Sequence, residues 1–349
     1  MAGEKLDPVQ LIADAVLYEG YLLWPYRRSA LKNHQRWTFG GVYPRGHHEE
    51  HEDDRAEMRA ECLITDAKDS ASMPNRSGGG QATEVEVGVR FLHVLRRQLM
   101  APGPGGLEPV EELTVGDEQY LSWEEATERE FAAKLRLGTE NVRVPIDIPA
   151  GQEQEELRDP EGGPAGAIVR SWRGIEGTLE VSAEPLRHGL ARVSVRVANE
   201  TPWPGGSREE ALERTFCSSH AVLRARNGEF VSLTDPPDEL REEAEACRNE
   251  GVWPVLVGEP EERHTVLASP IILEDHPKIA PESPGDLFDG GEIDQMLILN
   301  ILSMTDEEKA EMRQSDPKAR EILERSEALS NDELMALHGA IREFQYVRP

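Results

Sequence analysis

Residues 83–99, TEVEVGVRFLHVLRRQL, alternate between apolar and polar side chains through most of their length. The apolar positions fall on one side of an extended chain and include Val85, Val87, Val89 and Phe91. The other side carries the charged residues Glu84, Glu86 and Arg90. Because successive side chains of a β-strand point to opposite faces of a sheet, this pattern predicts a long amphipathic strand with one face in a core.

Shorter strand-like segments on both sides of this stretch indicate a mainly β protein of the α+β class. They are residues 36–44 (a short strand and turn), 58–64, 141–148, 178–182, 190–199, 221–225, 229–233, 252–257 and 265–273. Asn227-Gly228 predicts a hairpin between two of them, since a type I′ turn needs positive φ at both central positions. Strands and helices do not alternate along the chain, which argues against a doubly wound α/β fold. We therefore expect an antiparallel β-sandwich or a barrel-like core.

Polar, glycine-rich segments separate these predicted strands. Residues 45–57 and 66–82 are predicted to be disordered inserts, and the second of them contains Ser-Gly-Gly-Gly. Residues 101–106, APGPGG, are expected to end the long strand, and residues 150–166 to form a linker or an exposed loop. The charged segment 124–135 fits either a short helix or a strand, and the sequence does not separate the two.

Helices are predicted at both ends of the chain. Asp7-Pro8 is a typical helix start, and the apolar spacing that follows predicts a helix over about 8–19. The aromatic segment 21–26 is expected to anchor this helix to the core. Three or four short helices are expected over about 292–345, with capping boxes beginning at Thr305 and Ser330 and an Asp-Pro start at Asp316. The predicted organisation is an N-terminal helix with a β region over 1–150, a sandwich-like region over 167–275 and a helical region over 286–349, with the β regions forming one domain or two.

The net charge of the chain limits the classes of partner that we expect. Its 349 residues include 38 Lys and Arg against 67 Asp and Glu, a net charge of −29. Such a field repels phosphates, so nucleic acid is not an expected partner. Arg27, Arg28, Lys32 and Arg36 form a short basic patch, which we interpret as a solvated turn. A basic protein surface or a cation fits the charge better, although acidity also serves solubility alone.

The cysteines and the apolar segments indicate where the protein works. Cys62, Cys217 and Cys247 lie far apart and form no Cys-x-x-Cys pair, which argues against a disulfide framework or a cysteine-bound zinc site. The first residues carry acids where a signal peptide has a basic region, and no apolar run approaches the roughly 18 residues of a membrane span. A cytoplasmic protein without a membrane span is expected.

Two clusters have the residue types that bind metal ions. His47, His48 and His51 stand among acidic residues, and imidazole and carboxylate groups together suit nickel or zinc. His47 and His51 share a face only if the segment is helical, and a solvated loop is the simpler interpretation. The second cluster consists of Asp286, Asp289, Glu292 and Asp294. Its oxygen ligands suit calcium or magnesium, but the spacing is not that of an EF-hand, and acids also favour helix N-termini.

Cys217-Ser218-Ser219-His220 places a thiol, two hydroxyls and an imidazole in succession. Catalytic groups generally meet in space rather than in sequence. In a strand, the side chain of His220 points to the opposite face of the sheet from those of Cys217 and Ser219. A buried structural cysteine is therefore the favoured interpretation. The sequence contains no P-loop, dinucleotide fingerprint, Gly-x-Ser-x-Gly or His-Glu-x-x-His motif.

Three further stretches carry a family resemblance: residues 15–28 with 33–44, residues 279–294, and residues 304–309 with 337–339. Together they resemble a poorly characterised bacterial family associated with gene clusters for nickel–iron uptake hydrogenases. The resemblance covers nearly the whole chain and brings no catalytic motif with it. It implies a hydrogenase-associated accessory protein, a scaffold or chaperone that binds a hydrogenase subunit or maturation factor, without a known cofactor.

Two other classes of function stay open on the sequence. The acidic cluster at 286–294 would serve a metal-dependent hydrolase if its carboxylates converged around a pocket. A β-sandwich ligand-binding module, for example for carbohydrate, would need an exposed aromatic platform. Trp172, Trp203 and Trp253 are the candidates for such a platform, although a core or loop-anchoring role is the favoured interpretation of each.

Overall fold

A computed structural model describes residues 8–19, 26, 36–37, 39–66, 82–187, 189–278, 294–330 and 333–334. Its strands are β1 (Glu57–Asp66), β2 (Glu84–Gly103), β3 (Gly106–Val110), β4 (Glu112–Val115), β5 (Glu118–Leu121), β6 (Trp123–Arg136), β7 (Val142–Ile148), β8 (Gly151–Arg158), β9 (Pro164–Trp172), β10 (Ile175–Arg187), β11 (Leu190–Asn199), β12 (Cys217–Arg226), β13 (Gly228–Phe230), β14 (Trp253–Leu256) and β15 (Thr265–Ser269). Its helices are α1 (Pro8–Tyr18), α2 (Arg45–Glu50), α3 (Arg208–Leu212), α4 (Arg241–Glu245), α5 (Asp294–Leu302), α6 (Asp306–Ser315) and α7 (Pro317–Glu327).

The strands form two antiparallel sheets and one hairpin. The five-stranded sheet has the order β13-β1-β11-β10-β7, and the eight-stranded sheet follows β14-β15-β12-β2-β9-β8, with β3 and β6 also paired to β2. Both sheets contribute side chains to one apolar core, to which Val87 of β2 and Val195 of β11 belong. The predicted mainly β fold with an antiparallel, sandwich-like core is confirmed, and the sheets do not close into a barrel.

The long strand β2 organises the larger sheet. The apolar side of its alternation is fully buried in the core, as the sequence predicts. One edge of β2 pairs with β6 from Glu84 to Arg97. The other edge pairs with β12 as far as Leu92 and with β9 from Arg96 onward. The sheet therefore splits along this edge, between the end of one partner and the start of the next.

Strands from the two predicted β regions pair with each other in both sheets. β1 pairs with β11 in the smaller sheet, and β2 pairs with β12 in the larger one. Side chains of both regions thus belong to one apolar core.

Several predicted connections turn out to be strands or helices. Residues 124–135 lie in β6, and β8 and β9 occupy most of the predicted linker 150–166. β2 continues to Gly103 and turns into β3 at Gly106, so the glycine-proline run forms a hairpin turn instead of a break. Residues 45–57, predicted as a disordered insert, begin with helix α2. Most of the other predicted insert, residues 67–81, lies outside the described residues.

The predicted hairpin at Asn227-Gly228 is wrong. Asn227 has a φ of 60°, as the sequence predicts, but Gly228 is not in the positive-φ region. β12, before the pair, belongs to the eight-stranded sheet, whereas β13, after it, pairs with β1 in the five-stranded sheet. The turn therefore carries the chain from one layer to the other.

The terminal helices cover the larger sheet. α1 places Val9, Ile12 and Val16 against Val255 of the edge strand β14 and Leu267 of its neighbour β15. The capping box predicted at Thr305 is present at the start of α6, and Asp316 caps α7 through the backbone N–H of Lys318. Tyr26, in the predicted aromatic anchor, is fully buried, whereas residues 20–25 lie outside the described residues. None of the described helices is long and apolar enough to cross a bilayer.

Candidate functional site

The histidine cluster lies on helix α2 and in the turn that follows it. The helix brings the rings of His47 and His51 to 4.5 Å between centroids. His47 is only 1% exposed, and its Nε2 atom lies 2.9 Å from the Asp54 carboxylate. His48 Nδ1 lies 3.1 Å from the backbone carbonyl of Asp54. The segment is thus folded and hydrogen-bonded, not a solvated loop.

The surroundings of His47 are aromatic. Its ring stacks on Tyr43 at 5.1 Å and meets the edge of Trp203 at 5.2 Å. Arg208 donates a hydrogen bond of 2.7 Å to the Tyr43 hydroxyl, while burial raises the pKa of that hydroxyl. The second ring nitrogen of His47 is buried and has no hydrogen-bond partner among the described residues. Because one nitrogen is engaged and the other is enclosed, the geometry favours a structural role for His47.

No three His, Cys, Asp or Glu side chains come together as a metal site within the part of the chain that is described. The three histidines are not grouped as the ligands of one ion among these residues, and a nickel or zinc site there stays a prediction. Of the acidic cluster, Asp286, Asp289 and Glu292 lie outside the described residues, and Asp294 is described only as the first residue of α5. A carboxylate site at 286–294 stays a prediction.

The segment from Cys217 to His220 starts β12 and contains an irregularity in its pairing with β2. All four of its side chains are buried, and Ser218 adopts a φ of 52°. Burial raises the pKa of the Cys217 thiol to about 12 and lowers the pKa of His220 to about 4. A protonated thiol beside a neutral, enclosed imidazole is a poor nucleophile pair, so the structural interpretation holds.

The three tryptophans proposed as an aromatic platform lie on separate elements. Trp203 packs against His47, and Trp172 at the end of β9 covers Gly151. Trp253 begins the edge strand β14 and is 43% exposed. The geometry therefore joins none of them to another as a stacking surface.

A crevice that the sequence does not reveal lies beside the split in the larger sheet. Its volume is about 160 Å³, and its lining consists of Val94, Arg96, Ser171, Trp172, Arg173 and Glu213. We call it the arginine crevice. The crevice begins where β2 stops pairing with β12 and starts pairing with β9, so the gap between these two partners provides the space.

Two arginines share one carboxylate in the arginine crevice. Glu213, whose side chain is 9% exposed, pairs with Arg96 through one oxygen and with Arg173 through the other, the latter at 3.0 Å. The side chains of Arg96 and Arg173 are 57% and 53% exposed, so each also faces solvent. Counting charges, two guanidinium groups against one carboxylate leave one positive charge.

The outer face of the five-stranded sheet is a second feature of functional interest. One cross-strand row runs over four strands, from Arg143 through Glu180 and Arg196 to Arg59. Arg196 bonds Glu180 at 3.2 Å, and Arg143 lies 3.6 Å from the same glutamate. We call the face that displays this row the charged face.

A trough crosses the charged face next to this row. Ser182 of β10 and Ser194 of β11 lie directly opposite each other in the strand register. Their small side chains leave a depression of about 390 Å³, which is bordered by Arg59, Arg143, Glu180 and Arg196. The bordering side chains are 35% to 64% exposed, so the face is open to solvent within the described part of the structure.

The chain was compared with known proteins. It matches none of the protein-family models, and the curated proteins provide no significant relative. Neither the arginine crevice nor the charged face stands out in the sequence, because each collects side chains from strands that are far apart along the chain. The Arg96-Arg97 pair near the end of the predicted strand is the one local signal that points toward the crevice.

Proposed function

We propose that the protein is a non-catalytic accessory or scaffold protein of the cytoplasm, which binds another protein during the assembly or operation of a nickel–iron hydrogenase. The open, ion-paired charged face is the observation that carries the binding role. Its side chains are held by cross-strand pairs such as Arg196–Glu180, so the face presents one defined pattern of charge. A partner with the complementary pattern would gain orientation and specificity from it.

The size of the charged face suits a protein partner. Four neighbouring strands spaced about 4.8 Å apart, each about ten residues long, cover roughly 600 Å² of sheet. One side of a standard protein–protein interface contributes about 800 Å². The trough between Ser182 and Ser194 offers a recess in this surface that one side chain of the partner could enter.

The net charge of −29 speeds the encounter with a basic protein. At the trough itself, which three arginines and one glutamate border, the same partner would have to present acidic groups. The link to a hydrogenase rests on the resemblance carried by residues 15–28 with 33–44, 279–294, and 304–309 with 337–339. A subunit of the enzyme or one of its maturation factors is the partner that this resemblance implies.

Affinity purification of the full chain from its native host, with metal analysis of the same preparation, tests the proposal. We expect a hydrogenase subunit or a metal-centre assembly factor to copurify. Recovery of other partners only, together with an absence of such genes near that of this protein, would remove the hydrogenase link. Metal bound to the purified chain in stoichiometric amount would favour the hydrolase alternative at 286–294.

A pair of variants tests the surface. Ser194→Tyr fills the trough with an aromatic side chain that strands accommodate well, and it should abolish copurification. Gln154→Tyr places the same tyrosine side chain at an exposed position of β8 and should leave the partner bound. If both variants retain the partner, the charged face is not the binding surface.

A further inference from the structure

We propose that the arginine crevice is a binding site for a carboxylate group, carried by a small organic acid or by the C-terminus of a peptide. The inference is independent of the proposed scaffold role, because the crevice lies beside the split of the eight-stranded sheet and the charged face belongs to the other sheet.

The local balance of charge in the crevice favours an anion. Arg96 and Arg173 both bond Glu213, and no other acidic side chain among the described residues lines the crevice. The excess of one guanidinium matches one monoanionic group. Guanidinium groups bind carboxylates through pairs of parallel hydrogen bonds, and both arginines are about half exposed toward solvent. The excess is notable in a chain that carries a net charge of −29.

The backbone that carries Arg96 and Glu213 is held in place. Glu213 follows α3, whose start is fixed by a capping box between Ser207 and Glu210. Arg96 is anchored in β2 and pairs in register with Ser171 of β9. A ligand would therefore not have to order the chain around the crevice, which lowers the entropy lost on binding.

Part of the crevice lining is apolar. Trp172 donates a hydrogen bond of 3.0 Å from its indole N–H to the carbonyl of Pro149. A Cβ at Gly151 would come within 2.5 Å of the Trp172 ring, so the glycine allows the indole to pack directly on the backbone. The fixed indole and Val94 offer contact to the carbon atoms that carry a carboxylate.

Binding is tested by calorimetric titration of the full chain with sodium benzoate, with benzamide as the uncharged counterpart. The indole N–H signal of Trp172, assigned with Trp172→Phe, reports where the ligand binds. Benzoate should bind and shift this signal, whereas benzamide should bind at least tenfold more weakly because it lacks the charge. Equal binding of the two compounds would overturn the proposal.

Two variants that each remove one charge from the crevice should change benzoate binding in opposite directions. Arg173→Gln should weaken benzoate binding about tenfold, because it removes a charge-assisted hydrogen bond. Glu213→Gln should strengthen it about tenfold, because it removes the internal carboxylate that competes for both arginines. A merely structural triad would not produce tighter binding in Glu213→Gln, so weaker binding in that variant contradicts the inference.

Arg241→Gln is the matched control. Arg241 is 50% exposed and pairs with Asp238 at 2.7 Å, but it lies outside the crevice, so its replacement should leave benzoate binding unchanged. Inorganic phosphate tests the choice of anion, and tighter binding of phosphate than of benzoate would overturn the assignment to a carboxylate.

Short peptides that end in Phe, with the C-terminus either free or amidated, distinguish a peptide C-terminus from a small organic acid as the source of the carboxylate. A free-acid peptide that binds at least tenfold more tightly than benzoate, with loss on amidation, would assign the site to protein C-termini. Similar affinities for the free-acid peptide and benzoate would assign it to small organic acids. Binding of the amidated peptide as tightly as the free acid would overturn the proposal.

Discussion

The Ser218 hydroxyl donates a hydrogen bond of 3.0 Å to the backbone carbonyl of Val16, across 202 positions of sequence. It joins the irregular start of β12 to the C-terminal end of α1. Ser218 reaches this carbonyl from a backbone with a φ of 52°, a region that L-residues other than Asn and Asp rarely adopt. The contact explains why the Cys-Ser-Ser-His segment is buried and structural.

Replacing Ser218 separates the hydrogen bond from the backbone conformation. Ser218→Ala should lower the free energy of unfolding by about 1 kcal/mol, because the hydrogen bond is lost. Ser218→Gly loses the same bond but tolerates the positive φ, so it should destabilise the protein less than the alanine variant does. Urea unfolding of both variants measures the difference. The exposed Ser303→Ala serves as control and should change stability by less than about 0.5 kcal/mol.

Two buried histidines predict the behaviour of the protein in mild acid. Burial lowers the pKa of His220 to about 4, and burial together with Arg129 lowers that of His93 to about 4. An unfolded histidine titrates near 6.5, so between about pH 6.5 and 4 the unfolded chain binds more protons than the folded one. The free energy of unfolding should therefore fall as the pH falls through this window, by up to about 1.4 kcal/mol per pH unit for each histidine.

Urea unfolding at pH 7, 6 and 5 measures this slope above the range in which carboxylates titrate. His220→Asn keeps a nitrogen near the position of Nδ1, which lies 3.2 Å from the Ser218 carbonyl, and removes the titration. The slope of the variant should be smaller by up to one histidine's contribution. If wild type and variant lose stability in parallel, His220 does not stay neutral in the folded protein.

Gly228 is the position where the chain enters the five-stranded sheet. A Cβ there would come within 2.6 Å of the Thr83 side chain and 3.0 Å of the Thr65 carbonyl. Gly228→Ala should therefore destabilise the protein by about 1–3 kcal/mol through overpacking. Gly105→Ala, in the turn between β2 and β3, adds a Cβ where no atom lies within 4 Å and should be nearly neutral. Equal thermal shifts for the two variants would contradict this account.

Asp316 ends α6 and caps α7. Its side chain is almost fully buried and accepts a hydrogen bond of 2.8 Å from the backbone N–H of Lys318. Asp316→Ala should cost about 1–2 kcal/mol, and hydrogen exchange of the first turn of α7 should accelerate. Asp306→Ala, an acidic position in the first turn of α6, should cost only a few tenths. Unchanged exchange in Asp316→Ala would show that this cap does not hold the helix.

Local patterns predicted those elements whose signal lies within one segment. The alternation at 83–99 indicated β2 because burial of one face requires a period of two. The capping signals at Thr305 and Asp316 located helix starts because a cap acts over three residues. The charged strand β6 could not be assigned, because its polar positions mask the alternation and its strand conformation depends on pairing with β2.

The geometry of the candidate sites could not be predicted from single segments either. His47, His48 and His51 look like ligands when they are written side by side, yet the fold turns His47 inward onto Asp54 and the aromatic rings around it. The arginine crevice forms only because β12 stops pairing with β2 before β9 begins. This change of strand partner is not visible in any single segment of the sequence.

The sequence by itself determined that this chain is acidic, mainly β and capped by helices, since charge, side-chain period and capping are properties of neighbouring residues. Tertiary structure decided which sheet each strand joins, as the turn at Asn227-Gly228 shows by leading from one layer to the other instead of closing a hairpin. It also decided which charges meet, because Arg96 of β2, Arg173 after β9 and Glu213 after α3 come together only in the folded chain. Local preference fixes the conformation of a turn, whereas the burial of the strands on either side fixes where that turn leads.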